Sequence, residues 1–512
     1  MESLPPVAPQ PPTGTESDQG GGPASSLLNR TRWVEPARPE WLRQRPNAHY
    51  YALATVCIGA FMGQLDASIV TVAFPTLQRV FHASVGAVTW VGLSYLVVVV
   101  VGVAPVGRLA DMVGRKLLYT YGFVVFIFGS GLCSLAPSLA SLDAFRVIQA
   151  VGAVMLQANS VAIIYLAMPK NRLGRGIGIQ GAAQALGLAL GPAIGGLLLA
   201  AGGWRLIFFV NVPAGIIGTV AAWIFLPRSR DLRVRTGFDW VGLGLFVPAV
   251  VALLVAISFG DHWGWTSPLS VCLFLVTVST GAGFVLWEHR ARAPLLDLSL
   301  FRKISFTAGL ASGLLSYLVL FGTMFAVPFF LERGRHMNPG QAGLVLTALP
   351  LALGCAAPFA DRLAERVGPR PLTVAGMLIT AFALAVVGLG QPSGWLLVCE
   401  LGLVGVGLGM FTPANNSAIM SSVPRSHAGA ASGVLNMTRG LGTALGLALT
   451  GLVFGAAAGQ TSLSPDTNGF KVAVLFLAGV AALAALLAAT RGGSEPFHTT
   501  DQAFEGITVA PD

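Results

Sequence analysis

From residue 51 onward the chain is written in long apolar runs separated by short polar segments. A helix that crosses a bilayer needs about 20 consecutive apolar residues. Fourteen runs reach that length, near 51–74, 85–106, 117–136, 140–167, 176–200, 204–226, 239–259, 267–287, 304–331, 342–359, 371–390, 395–420, 430–456 and 470–489. The pattern predicts an all-α integral membrane protein with fourteen spanning helices. Two stretches break it. Residues 1–48, rich in Pro, Gly and Ser, lack the apolar core of a signal peptide and are expected to be a disordered cytoplasmic tail. Residues 491–512 are expected to be a second tail.

The placement of charge tests the count of runs. With the N-terminus inside, 24 of the 31 Lys and Arg fall in the tails and loops of one side. Only Arg79, Arg205, Arg333, Arg335 and Lys471 fall on the other side, and Arg146 and Arg439 lie within runs. This asymmetry places both termini in the cytoplasm, and a missed span would invert every later loop. It also explains the net charge of +9 without any nucleic-acid partner. Composition agrees: 54% of residues are hydrophobic, 10% are charged and the mean hydropathy is +0.72, whereas soluble domains carry about 25% charged residues. The 63 glycines suit close helix packing in lipid.

The five cysteines (Cys57, Cys133, Cys272, Cys355 and Cys399) all lie in apolar runs with no CxxC pair, so neither a disulfide framework nor a zinc site is expected. The histidines lie in tails or at run ends, and no HExxH motif occurs, so an intramembrane enzyme is not expected. No GxxxxGK[ST] motif for ATP is present. No loop is long enough for the soluble domain that a non-transporting sensor would carry.

The chain repeats itself. GRLADMVGRK at 107–116 aligns with DRLAERVGPR at 361–370, which places Gly114 on Gly368. PKNRLGRGIGIQGAAQALGLALG at 169–191 aligns with PRSHAGAASGVLNMTRGLGTALG at 424–446, which places Gly187 and Gly191 on Gly442 and Gly446. Both matches keep the same side of the membrane, so the repeat is parallel. It defines an N-terminal half at 49–228 and a C-terminal half at 304–490. The runs within 229–303, the seventh and eighth, have no counterpart and are read as an insertion.

Several motifs stand in order along the chain: LDASIVTVAFP at the end of run 1, GRLADMVGRK after run 2, DAFRVIQAVGA in run 4, ALGLALGPAIGG in run 5 and WRLIFFVNVP in run 6. RAPLLDLSLFR and GAASGVLNMTRGLGTALG follow. Together they resemble the major facilitator superfamily, in particular its fourteen-span drug:proton antiporter branch. The resemblance covers nearly the whole chain between the tails. It implies a proton-coupled exporter in the cytoplasmic membrane that works by alternating access on a drug or antibiotic, with a proton gradient as energy source and no cofactor. A monomer is expected. A metabolite, siderophore or lipid is the alternative cargo, and a non-transporting sensor is the alternative of another class.

Asp66 and Arg146 are the first candidates for proton coupling. They lie about nine and seven residues from the outer ends of runs 1 and 4, depths that differ by roughly 3 Å. If those runs are neighbours, as the resemblance implies, the two side chains can meet. Apolar surroundings favour a neutral acid and a nearby guanidinium favours its carboxylate, so separating or rehydrating the pair changes proton affinity. A fixed structural ion pair is the alternative. Glu400, near the outer end of run 12, is a further candidate that could attract cations, carry a proton or snorkel to the surface.

Gly107, Asp111, Gly114, Arg115 and Lys116 form the short loop after run 2, where glycines permit a tight turn. The resemblance implies that this loop latches one face shut. Gly187, Gly191 and Gly195 stand four apart and make one flat helix face, and Pro192 can bend it. The resemblance implies a gating helix there, with Leu447 standing at the position of Pro192 in the repeat. Gln149, Gln157, Asn159, Gln184, Asn415, Asn436, Arg439 and the aromatic Phe325 are candidates for lining a substrate cavity, with hydrogen bonding between helices as the alternative.

Overall fold

Among the described residues of the computed structural model, fourteen long apolar helices, the expected number, carry the architecture. The structure describes residues 38–43, 45, 47–169, 172–228, 239–291, 295–296, 298–390, 394–423, 428–458 and 465–491. We number the helices α1 (Ala48–Phe81), α2 (Val85–Val113), α3 (Arg115–Leu135), α4 (Leu139–Ala167), α5 (Leu173–Gly202), α6 (Arg205–Phe225), α7 (Trp240–Trp263) and α8 (Pro268–Glu288). The remaining six are α9 (Ile304–Phe329), α10 (Pro339–Val367), α11 (Pro369–Gly390), α12 (Trp395–Ser421), α13 (Ala428–Ala458) and α14 (Pro465–Ala489). Among the described residues every regular element is helical.

Local chemistry sets the helix starts. Ser84, Ser138, Ser267 and Asn338 each accept a hydrogen bond from a backbone N–H of the first turn, which satisfies a donor that the helix itself leaves unpaired. Some ends differ from expectation. α1 does not stop before Pro75 but runs on to Phe81, because its last turns are packed: Leu77 is buried and the Phe81 ring meets Trp204 edge-on at 5.5 Å. α2 absorbs most of GRLADMVGRK. Gly107 is therefore helical and makes no turn, and a Cβ added to it would meet Ala158 at an ordinary 4.0 Å. Only Gly114 turns the chain, at φ 118°, and Gly368 does so at φ 84° in the second half.

The first tail also departs from expectation at its end. Glu40–Arg43 form a turn of helix, Leu42 is fully buried, and Arg38 Nε donates to the carbonyl of Phe225 at 2.8 Å. The last carbonyls of α6 need such a donor. Residues 1–37 lie outside the described residues.

The two halves repeat in packing as in sequence. α5 lies on α1, and α13 lies on α9 in the same way. Between the halves, α2 packs on α13 and α5 on α10, so each half offers its second helix to the fifth helix of the other. α7 and α8 pair with each other. α7 joins the bundle beside α2 and α13, where a Cβ on Gly86 would stand 2.4 Å from the Ser258 carbonyl. Large apolar side chains such as Val278, Phe382 and Leu486 stay exposed on the outer faces, as lipid contact requires.

Contact between the halves concentrates at one end, the end with few basic residues. There, Cβ atoms added to Gly196 and Gly343 would stand 2.4 Å from the Pro339 carbonyl and 2.2 Å from the Pro192 carbonyl. Toward the basic end, Gly174, Gly178 and Gly181 of α5, Gly354 of α10 and Gly433 of α13 face open space. The halves are therefore closed at the sparse end and spread at the basic end.

Candidate functional site

α3 and α4 approach closely because Gly129 faces the Gln149 backbone and Gly152 faces the Phe126 backbone, where a Cβ would come within 2.5 Å and 2.3 Å. That approach brings Ser130 and Gln149 within hydrogen-bond distance, 3.1 Å. α1 adds Asp66, α4 adds Arg146, and α6 adds Asn211 from the run FFVNV. The result is a buried polar network inside the N-terminal half.

Asp66 is fully buried, yet both carboxylate oxygens are satisfied. Arg146 Nη1 donates to Oδ2 at 2.6 Å; Gln149 Nε2 and Asn211 Nδ2 donate to Oδ1 at 2.8 and 2.9 Å. Arg146 is 1% exposed. Its Nη1 also donates to Gln149 Oε1 at 2.8 Å, and its Nε donates to the Val91 carbonyl of α2 at 3.0 Å. The guanidinium lies 4.3 Å from the centroid of the Tyr95 ring. Ser130 Oγ accepts from Gln149 and Asn211 at 3.1 and 3.2 Å and donates to the Phe208 carbonyl at 2.8 Å. A buried charge is tolerated only when paired and hydrogen-bonded, and removing one partner of such a pair costs about 3–5 kcal/mol. The cluster meets that condition.

One side of Arg146 borders the seam between the halves. A void of about 10 Å³ lies there, lined by Tyr95 and Arg146 from one half and by Phe321 and Leu447 from the other. That is about the space of one water molecule.

The remaining candidates lie elsewhere. Gln149 belongs to the Asp66 network and does not line a separate cavity. Phe325 is fully buried in an aromatic chain with Phe74, Phe329 and Phe454, so it packs the seam. Asn159 is buried and donates to its own helix, at the Met155 carbonyl, 2.8 Å away. Gln157 is exposed, and Gln184 and Asn436 are half-buried. Arg439 lies 5.7 Å from the Tyr317 ring with its Nε unpartnered.

Glu400 is 8% exposed, so it does not snorkel, and its Oε2 has no hydrogen-bond partner. Its helix, α12, packs on α9, α10, α11 and α13, all in the other half from Asp66. Gly187, Gly191 and Gly195 face α1, where added Cβ atoms would come within 2.4 Å of the Phe61 carbonyl, 1.8 Å of Ser68 Oγ and 2.8 Å of Ile69 Cγ1. Pro192 is buried within a continuous α5. In the α2–α3 connection Lys116 is buried, Arg115 starts α3, and the Asp111 side chain falls outside the described residues.

Two features were not legible as sites. Asn211 and Ser130 complete the Asp66 network; the amide in FFVNV, isolated among apolar residues, was the signal for Asn211. Arg491, counted as a loop charge, turns into the C-terminal half instead and is 4% exposed. Its Nη2 donates to Asn415 Oδ1 and to Ser312 Oγ, and Asn415 Nδ2 donates to the Gly309 carbonyl at 3.2 Å. Its Nε and Nη1 have no partner, and burial pushes its pKa down to about 10. Asn415 therefore holds Arg491 and is no cavity residue.

At the sparse end the halves are pinned by polar contacts. A π-helical turn over Phe330–Gly334 presents Glu332, whose Oε2 accepts from Thr76 Oγ1 at 3.4 Å and Arg79 Nη2 at 3.5 Å. Arg333 Nη1 donates to Gln78 Oε1 at 2.5 Å.

Two pseudo-symmetric six-helix halves, meeting along a seam and closed at one end, define a membrane transporter. The chain belongs to the Major Facilitator Superfamily, whose family model matches residues 56–287 and 309–507. It is 35% identical over 403 residues to the riboflavin transporter RibZ of Clostridioides difficile, spanning 78% of this chain and 87% of that protein. It is 34% identical over 402 residues to the multidrug resistance protein Stp of Mycobacterium tuberculosis, spanning 78% of this chain and 74% of that one. Its fold matches the crystal structure of a bacterial homologue of the human lysosomal transporter Spinster, in an inward-facing, unoccupied conformation, with a TM-score of 0.65 and 17% identity over 87% of this chain and 97% of that one.

Proposed function

We propose that the chain is a proton-coupled exporter of drug-like or antibiotic molecules, working by alternating access as a monomer in the cytoplasmic membrane with both termini in the cytoplasm. A proton gradient would drive it without a cofactor. The observation that carries this reading is the Asp66 carboxylate, sealed within the bundle and held by Arg146 beside the seam between the halves. A carboxylate kept at that depth is a functional candidate by default.

Proton transfer to Asp66 Oδ2 displaces Arg146 Nη1 from that oxygen. Arg146 keeps its bonds to Val91 and Gln149, but its charge is no longer neutralised. The guanidinium then faces the void shared with Phe321 and Leu447. Protonation in one half thus changes the charge at the contact with the other, which is the link that coupling needs. In the arrangement described above, closed at the sparse end and spread at the basic end, the carboxylate is paired, which corresponds to the proton-free state.

The name of the Mycobacterium tuberculosis relative supports a drug as cargo. The name of the riboflavin transporter relative supports a second reading, in which the same coupling moves a planar metabolite. The test uses inside-out membrane vesicles with an imposed proton gradient, and follows release of internal protons on adding cationic antibiotics, neutral antibiotics or riboflavin. We expect substrate-triggered proton release in the parent and its loss in Asp66→Asn. Retained release in the variant would overturn the role of Asp66. A response to riboflavin alone would favour the second reading.

A further inference from the structure

A groove of about 660 Å³ runs along the outside of the N-terminal half between α1, α5 and α6. It is walled by Leu53, Cys57 and Met62 of α1, Ala183 of α5, and Ala214 and Ile217 of α6. Its length is set by α1: the twelve steps from Tyr50 to Met62 rise about 18 Å. One leaflet of a bilayer's hydrocarbon core is about 15 Å thick. The groove therefore begins at the basic membrane surface and ends near the midplane. Its inner end is blocked by Met62, whose Cε is 3.2 Å from where a Cβ on Gly215 would stand. That end lies one helical turn from Asp66 and one from Asn211.

The outer end differs in chemistry from the walls. Arg172 Nη1 donates to Tyr50 Oη at 3.3 Å, and Arg45 Nη1 donates to Tyr51 Oη at 3.5 Å. Both arginines are exposed, and Glu40 is an exposed carboxylate on the same segment. An apolar slot one leaflet long, with guanidinium and phenol groups at its mouth, complements an acyl chain joined to an anionic headgroup. A guanidinium pairs well with phosphate oxygens.

We propose that this groove is a binding site for an anionic phospholipid, one acyl chain lying along α1 and the phosphate at Arg172 and Tyr50. The proposal does not depend on the cargo or on proton coupling. Each basic residue near the headgroups contributes about a fivefold preference for anionic lipid.

The test is native mass spectrometry of the purified full-length protein titrated with palmitoyl-oleoyl phosphatidylglycerol and with the matching phosphatidylcholine. We expect preferential retention of phosphatidylglycerol, with that preference reduced about fivefold in Arg172→Gln and kept in Arg172→Lys. Ala183→Trp, which fills the groove, is expected to remove one bound lipid of either kind. An unchanged headgroup preference in Arg172→Gln overturns the proposal, as does an unchanged lipid count in Ala183→Trp. Displacement of the bound lipid by tetraphenylphosphonium with no headgroup preference would also overturn it and assign the groove to lipophilic cargo.

Discussion

At the scale of single residues, the molecule handles its buried charges in two ways. Asp66 and Arg146 neutralise each other, and their further hydrogen bonds go to the amides of Gln149 on α4 and Asn211 on α6 and to the Val91 carbonyl of α2. Among the described residues Arg491 has no buried carboxylate partner; its bonds go to Asn415 and Ser312, and two of its nitrogens have none. The two sites should respond differently. Asn211→Leu removes a hydrogen bond to a charged group, worth about 1.5–3 kcal/mol. We expect about tenfold or greater slowing of substrate-driven proton release, with the protein still folded in detergent. Arg491→Met replaces an under-bonded buried charge with an apolar chain of similar length, so we expect its thermal midpoint to hold or rise. Asn415→Leu leaves the arginine buried with less support, and a loss of about 3 kcal/mol is expected. Thermal unfolding of both variants checks the contrast.

At the scale of helices, glycines divide by what stands in front of them. α5 carries both kinds. Gly191 lies against Ser68 and Ile69 of α1, whereas Gly178 faces open space. Gly191→Ala is expected to destabilise by about 1–3 kcal/mol, since the new methyl group has no room. Gly178→Ala should stabilise by up to about 1 kcal/mol through helix propensity. Opposite signs in thermal unfolding would check that the glycine face of α5 serves packing on α1, with Pro192 and Gly196 left to meet α10 at the seam.

At the scale of the whole molecule, the arrangement of the halves rests on apolar packing, from Phe74 through Phe454, topped by the Arg79–Glu332 pair. Arg79 is largely exposed, so the pair is worth at most about 1 kcal/mol. Glu332→Ala is therefore expected to shift the balance toward opening at the sparse end by no more than about fivefold. Spin labels at His82 and Arg335 would report this as a growing long-distance population. An unchanged distribution would mean that the aromatic seam alone holds that end.

Much of this was legible in the sequence. Bilayer thickness sets run length, and charge asymmetry separates the loops, so fourteen spans and a parallel repeat could be read directly from residue types. Asp66 and Arg146 stood out because an ionised group is costly in such a run. Tertiary structure alone decided the rest. Asn211 and Ser130 are ordinary polar residues until α3, α4 and α6 converge on one carboxylate. Arg491 reads as a loop charge until the end of α14 turns it inward. Phe325 and Asn415 suit a cavity by type, yet neighbours from other helices fill the space around them. Sequence records what each residue can tolerate. Which partners share its space depends on how helices distant in the chain pack together.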